Sequence, residues 1–206
     1  MPYIQITTRC NMRCAHCCFA CTEVGEDMTL ETWENVKEKI LYGEESVCIG
    51  GGEPTLHKEF NTILMDCIAD IYDVCIITNG TVTKRALLLA KLTKNNIIHA
   101  ELSVDDWHDL TMVDNEVISA FEKLNAIRTV KHIDPAGRAI INEEATEETG
   151  CGCQGLIVRP NGDVYQCNCP DATCFGNVND DDFSLENCVD CCMRELSEVT
   201  EFLKED

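Results

Sequence analysis

Three cysteines in one short segment, Cys10, Cys14 and Cys17, constrain this chain more than any other feature. They follow a β-rich run from Pro2 to Thr8, so a strand must end in a loop whose thiols converge. A 4Fe–4S cluster takes one thiolate for each iron that the protein holds. Three thiolates hold three irons and leave the fourth open to chelate a small molecule, which points to catalysis more than to electron storage. The spacing Cys-x3-Cys-x2-Cys departs from the ferredoxin run Cys-x2-Cys-x2-Cys-x3-Cys. Zinc is the competing reading for Cys14-Ala-His-Cys17-Cys18. Zinc sites, however, usually pair two short Cys/His knuckles, and these cysteines are unevenly spaced.

The remaining composition bounds the class. A chain of 206 residues is one domain, or one with a small appendage, and 45% hydrophobic content is ordinary for a protein with a core. Sixteen cysteines would read as a disulfide framework in a secreted chain. The opening residues Met1 to Cys10 have neither the basic segment nor the apolar run of a signal peptide. No apolar stretch approaches the ~20 residues of a membrane span. The cysteines therefore read as metal ligands in a reducing compartment, and a cytoplasmic location away from membranes is expected. A net charge of −21 disfavours nonspecific nucleic-acid binding. It leaves a nucleotide or a modified base open as substrate, and much of it reads as solvated surface.

Along the first two thirds, β-rich runs alternate with helical patterns, which implies parallel strands joined by crossover helices. Strands are expected at 2–8, 46–50, 73–78, 97–104 and 127–133. Helices are expected from Thr29, a plausible N-cap, to Leu41, and over 58–71, 83–95 and 116–125. Residues 142–150 carry Glu143, Glu144, Glu147 and Glu148 and read as a linker. Eight cysteines then crowd between Cys151 and Cys192. Asn161-Gly162, between the β-rich runs 156–159 and 163–167, marks a hairpin, and a terminal helix is expected over 191–204.

Gly50-Gly51-Gly52-Glu53-Pro54 follows the second strand. Glycines there permit close backbone approach to a ligand, and a carboxylate can accept from an ammonium. Ser103 and Asp105 share one face of the fourth strand, either as ligand contacts or as a polar end capping the next helix. Together with the cysteine loop, these segments resemble the radical S-adenosylmethionine (radical SAM) family. The resemblance implies an α/β fold, a truncated (β/α) partial TIM-type barrel over 1–141. It also implies a 4Fe–4S cluster on Cys10, Cys14 and Cys17, with S-adenosylmethionine on its open iron. By the same resemblance Gly51, Gly52 and Glu53 hold the methionine end, and Ser103 and Asp105 contact ribose and carboxylate. Thr78 and Asn79 line the pocket, and His16 stands where the family has an aromatic residue. No glycine-rich adenine-binding motif occurs in the fifth strand.

The segment 142–206 resembles the auxiliary-cluster module called twitch, a shortened relative of SPASM. On that basis Cys153, Cys167, Cys188 and Cys191 would ligate a second 4Fe–4S cluster, beside a β-hairpin and a helix. Structural zinc is the rival there, and Cys151, Cys169, Cys174 or Cys192 could substitute or bind a further cluster. Cys48, Cys67 and Cys75 read as small buried hydrophobes, while Cys18 and Cys21 could be either packing or ligands. Trp107 and His108 could touch substrate, with packing favoured for Trp107. The family chemistry implies reductive cleavage of S-adenosylmethionine and hydrogen-atom abstraction from a substrate carbon. The expected substrate is a peptide or aminoacyl group, an amino-acid-modified nucleobase included. Flavodoxin or ferredoxin is the expected electron donor. A glycyl-radical activating enzyme and a noncatalytic iron–sulfur carrier are the alternatives.

Overall fold

The computed structural model describes residues 1–131, 133, 135–143, 145, 155–168 and 172–185. Alternation along the strands decides which side chains meet the helices. Strand β1 (Tyr3–Gln5), β2 (Ser46–Gly50), β3 (Asp73–Thr78) and β4 (His99–Ser103) turn Ile4, Val47, Ile49, Val74, Ile76, Ala100 and Leu102 into one core. The helices answer with their own period. In α1 (Leu30–Val36) Trp33 and Val36 are buried, and the helix widens into a π-helical turn over Lys37–Leu41. Thr29 caps α1, its hydroxyl accepting from Thr32 N–H at 3.0 Å. α2 (Phe60–Asp70) buries Phe60, Ile63, Leu64 and Cys67, at i, i+3, i+4 and i+7. α3 (Thr83–Lys94) adds Ala86, Leu89 and Ala90, and α4 (Asn115–Glu122) adds Val117 and Phe121. The Trp33 indole N–H reaches Asp66 at 2.8 Å, satisfying the polar edge of a fully buried ring.

These elements stand as the sequence predicts; two stretches do not. Residues 127–133 have strong β-branched content, yet only β5 (Ile127–Arg128) pairs with β4. Beyond Arg128 the chain leaves the sheet, and Val130 and Ile133 turn into a cavity. A short helix, α5 (Arg138–Ile141), follows a backbone turn at Gly137.

The hairpin forms where Asn161-Gly162 places it, as β6 (Ile157–Val158) and β7 (Asp163–Tyr165), and β8 (Cys174–Asn177) adds to β7. Gly162 has φ +95°, and its N–H closes the turn on Arg159 O at 2.9 Å. β6 also pairs in parallel with β1, Tyr3 opposite Ile157, so the hairpin continues the barrel sheet. The strand order is β5-β4-β3-β2-β1-β6-β7-β8. β5 and β8 do not meet, so this is a partial, open barrel. The expected terminal helix over 191–204 lies outside the described residues.

Candidate active site

The loops at the strand ends are locked together before any ligand is considered. Arg9, just before the cysteine loop, meets Asp27 through two bonds of 2.9 and 2.7 Å and donates to Leu56 O at 2.9 Å. Backbone bonds run from Gly52 N to Thr7 O (2.7 Å) and from Glu53 N to Arg9 O (2.8 Å). These contacts explain the glycines. A Cβ on Gly51 would lie 2.5 Å from Thr7 O, and one on Gly52 would lie 2.2 Å from Arg9 O. The close approach is to the chain's own cysteine loop, a nearer cause than the ligand contact expected from the sequence.

Glu53 is buried, and its carboxylate accepts four hydrogen bonds from the chain. Oε1 takes Thr55 N (3.1 Å), the Thr55 hydroxyl and the Thr78 hydroxyl (2.7 Å); Oε2 takes Asn79 N (2.7 Å). A carboxylate offers about four acceptor positions, so an ammonium must displace one of these donors or share with it. Burial pushes the Glu53 carboxyl up, and the hydrogen bonds from Asn79, Thr55 and Thr78 offset only part of that. Asn79 in turn donates to Asn11 Oδ1 at 3.1 Å and reaches the Cys10 sulfur at 3.8 Å. Asn11 also donates to the Thr81 hydroxyl at 2.9 Å. The loop after β3 thus holds the cysteine loop from the side opposite Arg9.

Between these loops lies a cavity of about 230 Å³. Cys10, Cys14 and Cys17 line it together with His16, Gly52, Glu53, Thr78, Asn79 and Ser103. Nine of the positions read from sequence therefore share one wall; Gly51 and Asp105 do not reach it. Cys18 and His108 also line it, and sequence reasoning missed Met12, Ile77, Arg128, Val130 and Ile133. The signal for Arg128 was register: it pairs with Ser103 across adjacent strands, and the sequence alone does not align β5 with β4.

Asp105 instead builds a turn. Its Oδ1 accepts from Trp107 N–H at 3.1 Å and lies 2.7 Å from His108 Nδ1. Burial pushes its carboxyl up, but the bonds to His108 and Trp107 outweigh that and leave it below the ordinary value. The polar strand end thus caps a turn rather than the next helical segment, which Asp109 caps. The turn sets His108 in the cavity wall and sets Trp107 against His16 in a tilted arrangement, ring centroids 5.1 Å apart. Donor atoms of His16, Asp105 and His108 lie within 4.8 Å of one another, a spacing consistent with the 2.7 Å Asp105–His108 bond.

The cysteine thiols are not equivalent in the cluster-free chain. Cys17 is pulled down, mainly by a hydrogen bond from Cys21, while burial opposes. Burial pushes Cys10 up to about 11 and Cys14 up to about 12. Loading metal therefore has to eject protons from Cys10 and Cys14. Cys21 is buried, and Gln5 donates to its sulfur at 3.7 Å. Cys48 and Cys67 are buried as expected, but Cys75 is half-buried and sits opposite Cys48 in the β2–β3 register. Cys167 is buried and lines a second cavity together with Cys18, while Cys174 is exposed. Cys151, Cys153, Cys169, Cys188, Cys191 and Cys192 lie outside the described residues.

Residues 4–134, more than half of the chain, match the family described as the Radical SAM superfamily. This protein belongs to that family. It is 33% identical over 118 residues to a probable GTP 3′,8-cyclase of Methanosarcina mazei, covering 52% of this chain and 35% of that one. It is 24% identical over 152 residues to an S-adenosylmethionine-dependent nucleotide dehydratase of Selenomonas ruminantium, covering 69% and 55%. The matches thus span well under two thirds of those relatives. Among solved structures, native anSMEcpe with bound AdoMet and Cp18Cys peptide has the same fold. Its TM-score is 0.57 at 17% identity, over 90% of this chain and 79% of that one. A 4Fe–4S cluster and S-adenosylmethionine are the family's cofactors. The donor set fits them: three sulfurs converge on one cavity, beside a cation at Arg128 and acceptors at Glu53 and Ser103. Among the described residues no helix is long and apolar enough to cross a membrane.

Proposed function

We propose that Cys10, Cys14 and Cys17 hold the catalytic 4Fe–4S cluster and that the substrate is a peptide or an aminoacyl group. The observation that carries the first part is the sharing of one cavity by those three thiols with Gly52, Glu53, Thr78, Asn79 and Ser103. When bound, the cluster and S-adenosylmethionine supply a 5′-deoxyadenosyl radical that removes a hydrogen atom from substrate carbon. The chain's own residues position and enclose. Arg128 offers a carboxylate partner, Ser103 a hydroxyl, and Glu53 with Asn79 fixes the floor of the cavity. Ile77, Val130 and Ile133 keep one side apolar, which limits water near a reactive carbon. Cys153, Cys167, Cys188 and Cys191 would hold a second 4Fe–4S cluster, and flavodoxin or ferredoxin would supply the electron.

Two facts support the peptide reading. The structural neighbour that covers 90% of this chain is described with a bound peptide. Among the described lining residues Arg128 is the one permanent cation, in a chain of net charge −21, a poor match for a triphosphate. A nucleotide is the second reading, because both sequence relatives above are named for nucleotide chemistry. Reduced protein would be incubated with S-adenosylmethionine and either short peptides or nucleoside triphosphates, and 5′-deoxyadenosine measured. Peptide-stimulated formation is expected; stimulation by nucleotides alone would overturn the substrate class, and no 5′-deoxyadenosine from any mixture would overturn the site.

A further inference from the structure

One residue outside the expected motifs reaches three carbonyls of the cysteine loop. The Arg138 backbone N–H donates to Cys17 O at 2.9 Å. Its guanidinium donates from Nη1 to Cys14 O at 2.7 Å and from Nη2 to Cys21 O. Asn142, one helical turn on, donates to Ala15 O at 3.1 Å. Gly137 makes the approach possible: its φ is +56°, and a Cβ there would fall 2.3 Å from Cys18 O. A loop that turns its thiols toward one point leaves peptide carbonyls needing donors from elsewhere. A guanidinium is suited to that task, since it carries five fixed N–H donors and keeps its charge at every working pH.

We propose that Arg138 is a positioning residue of the catalytic cluster, its fork holding the Cys14 and Cys21 carbonyls and its fixed charge raising the cluster's reduction potential. The inference rests on the placement of the cluster on Cys10, Cys14 and Cys17. Reduction adds a negative charge to the cluster, and a nearby cation stabilises the reduced state. In a chain of net charge −21 the overall field opposes that electron, so a cation built into the loop has a distinct task. Residues around a metal centre tune it in this way through hydrogen bonds and charge rather than through ligation.

The test uses the full chain, reconstituted with iron and sulfide under anaerobic conditions, as wild type, Arg138→Gln and Arg138→Lys. The readouts are iron content and a redox titration of the paramagnetic resonance signal that changes when S-adenosylmethionine is added. Arg138→Gln is expected to load its cluster, titrate at a more negative potential, and cleave S-adenosylmethionine at least tenfold more slowly with the same donor. Arg138→Lys, which keeps the charge and loses the fork, is expected to return most of the potential. An unchanged potential in fully loaded Arg138→Gln would overturn the proposal. Should that variant fail to load, Arg138→Lys decides: loading near the wild-type potential supports the charge assignment, and an empty site or a displaced potential overturns it. A wild-type protein with no signal responsive to S-adenosylmethionine would instead contradict the cluster placement itself.

Discussion

Cys10 and Cys167 each lie just beyond a strand of the same sheet, yet what holds them differs in kind. The loop around Cys10 is shaped from far along the chain. Asn79 reaches it across 69 positions of sequence, and Arg138 across 124. The hairpin before Cys167 is shaped by its neighbours: Asn161 accepts from Asp163 two residues away, and Asn177 bonds Asp163 from 14 away. A polar bridge ties the two regions, in which Arg159 bonds Gln5 and Asn168 while Asn168 donates to Cys18 O at 2.6 Å. The contrast teaches that the cysteine loop takes its shape only once the half-barrel is complete, whereas the hairpin is written into its own turn.

The sharpest break removes one side of the comparison. Replacing Cys10, Cys14 and Cys17 together by Ala should abolish 5′-deoxyadenosine formation and remove about four of about eight irons, at four per cluster. Iron analysis and product chromatography check it, and a loss of every iron would tie the second cluster to the first. Next come packing changes against the cysteine loop. Gly52→Ala drives a methyl into Arg9 O and should cost about 1–3 kcal/mol in urea unfolding, with loss of iron from the catalytic site. Glu53→Gln sets an amide NH2 against donors that now face a carboxylate, for about 1–3 kcal/mol by the same assay.

Changes in the hairpin should be smaller and should stay local. Asn161→Ala removes the turn's acceptor for Asp163 N–H and should cost about 0.5–1.5 kcal/mol, leaving S-adenosylmethionine cleavage unaltered. The smallest effect is with pH. Burial pushes the Asp27 carboxyl up, but bonds from Arg9 and Thr7 outweigh that and hold it below its ordinary value of 3.8. A depressed folded value means the contribution of the Asp27 bonds to Arg9 and Thr7 is present above that ordinary value and fades as pH falls through the folded one. Thermal unfolding of Asp27→Asn against wild type should converge below pH 4 and diverge at neutral pH; a constant gap would mean the ionised Asp27 contributes nothing through those bonds.

The same contrast explains what the sequence made legible. Strand alternation, the Thr29 cap and the Asn161-Gly162 turn are local signals, and each sits where it was read. That Cys10, Cys14, Cys17 and the Gly52-Glu53 segment share one cavity was legible from their residue types and spacing. Arg138 was not, since its partners are peptide carbonyls, which leave no side-chain pattern. Arg128 depended on a register between β4 and β5, and the pairing of β6 with β1 spans most of the chain; neither has a local signature. Residues 127–133 misled for the opposite reason. Their β-branched side chains serve a cavity wall as well as a strand, and pairing stops at Arg128.

The central claim is that Cys10, Cys14 and Cys17 leave an iron open for S-adenosylmethionine. Its most direct test is double-resonance spectroscopy of the reduced protein with S-adenosylmethionine carrying nitrogen-15 in its amino group. Chelation at the open iron predicts a nitrogen-15 hyperfine coupling to the cluster, present in wild type and absent from the triple cysteine variant. A fully loaded wild-type cluster that shows no such coupling would contradict the account.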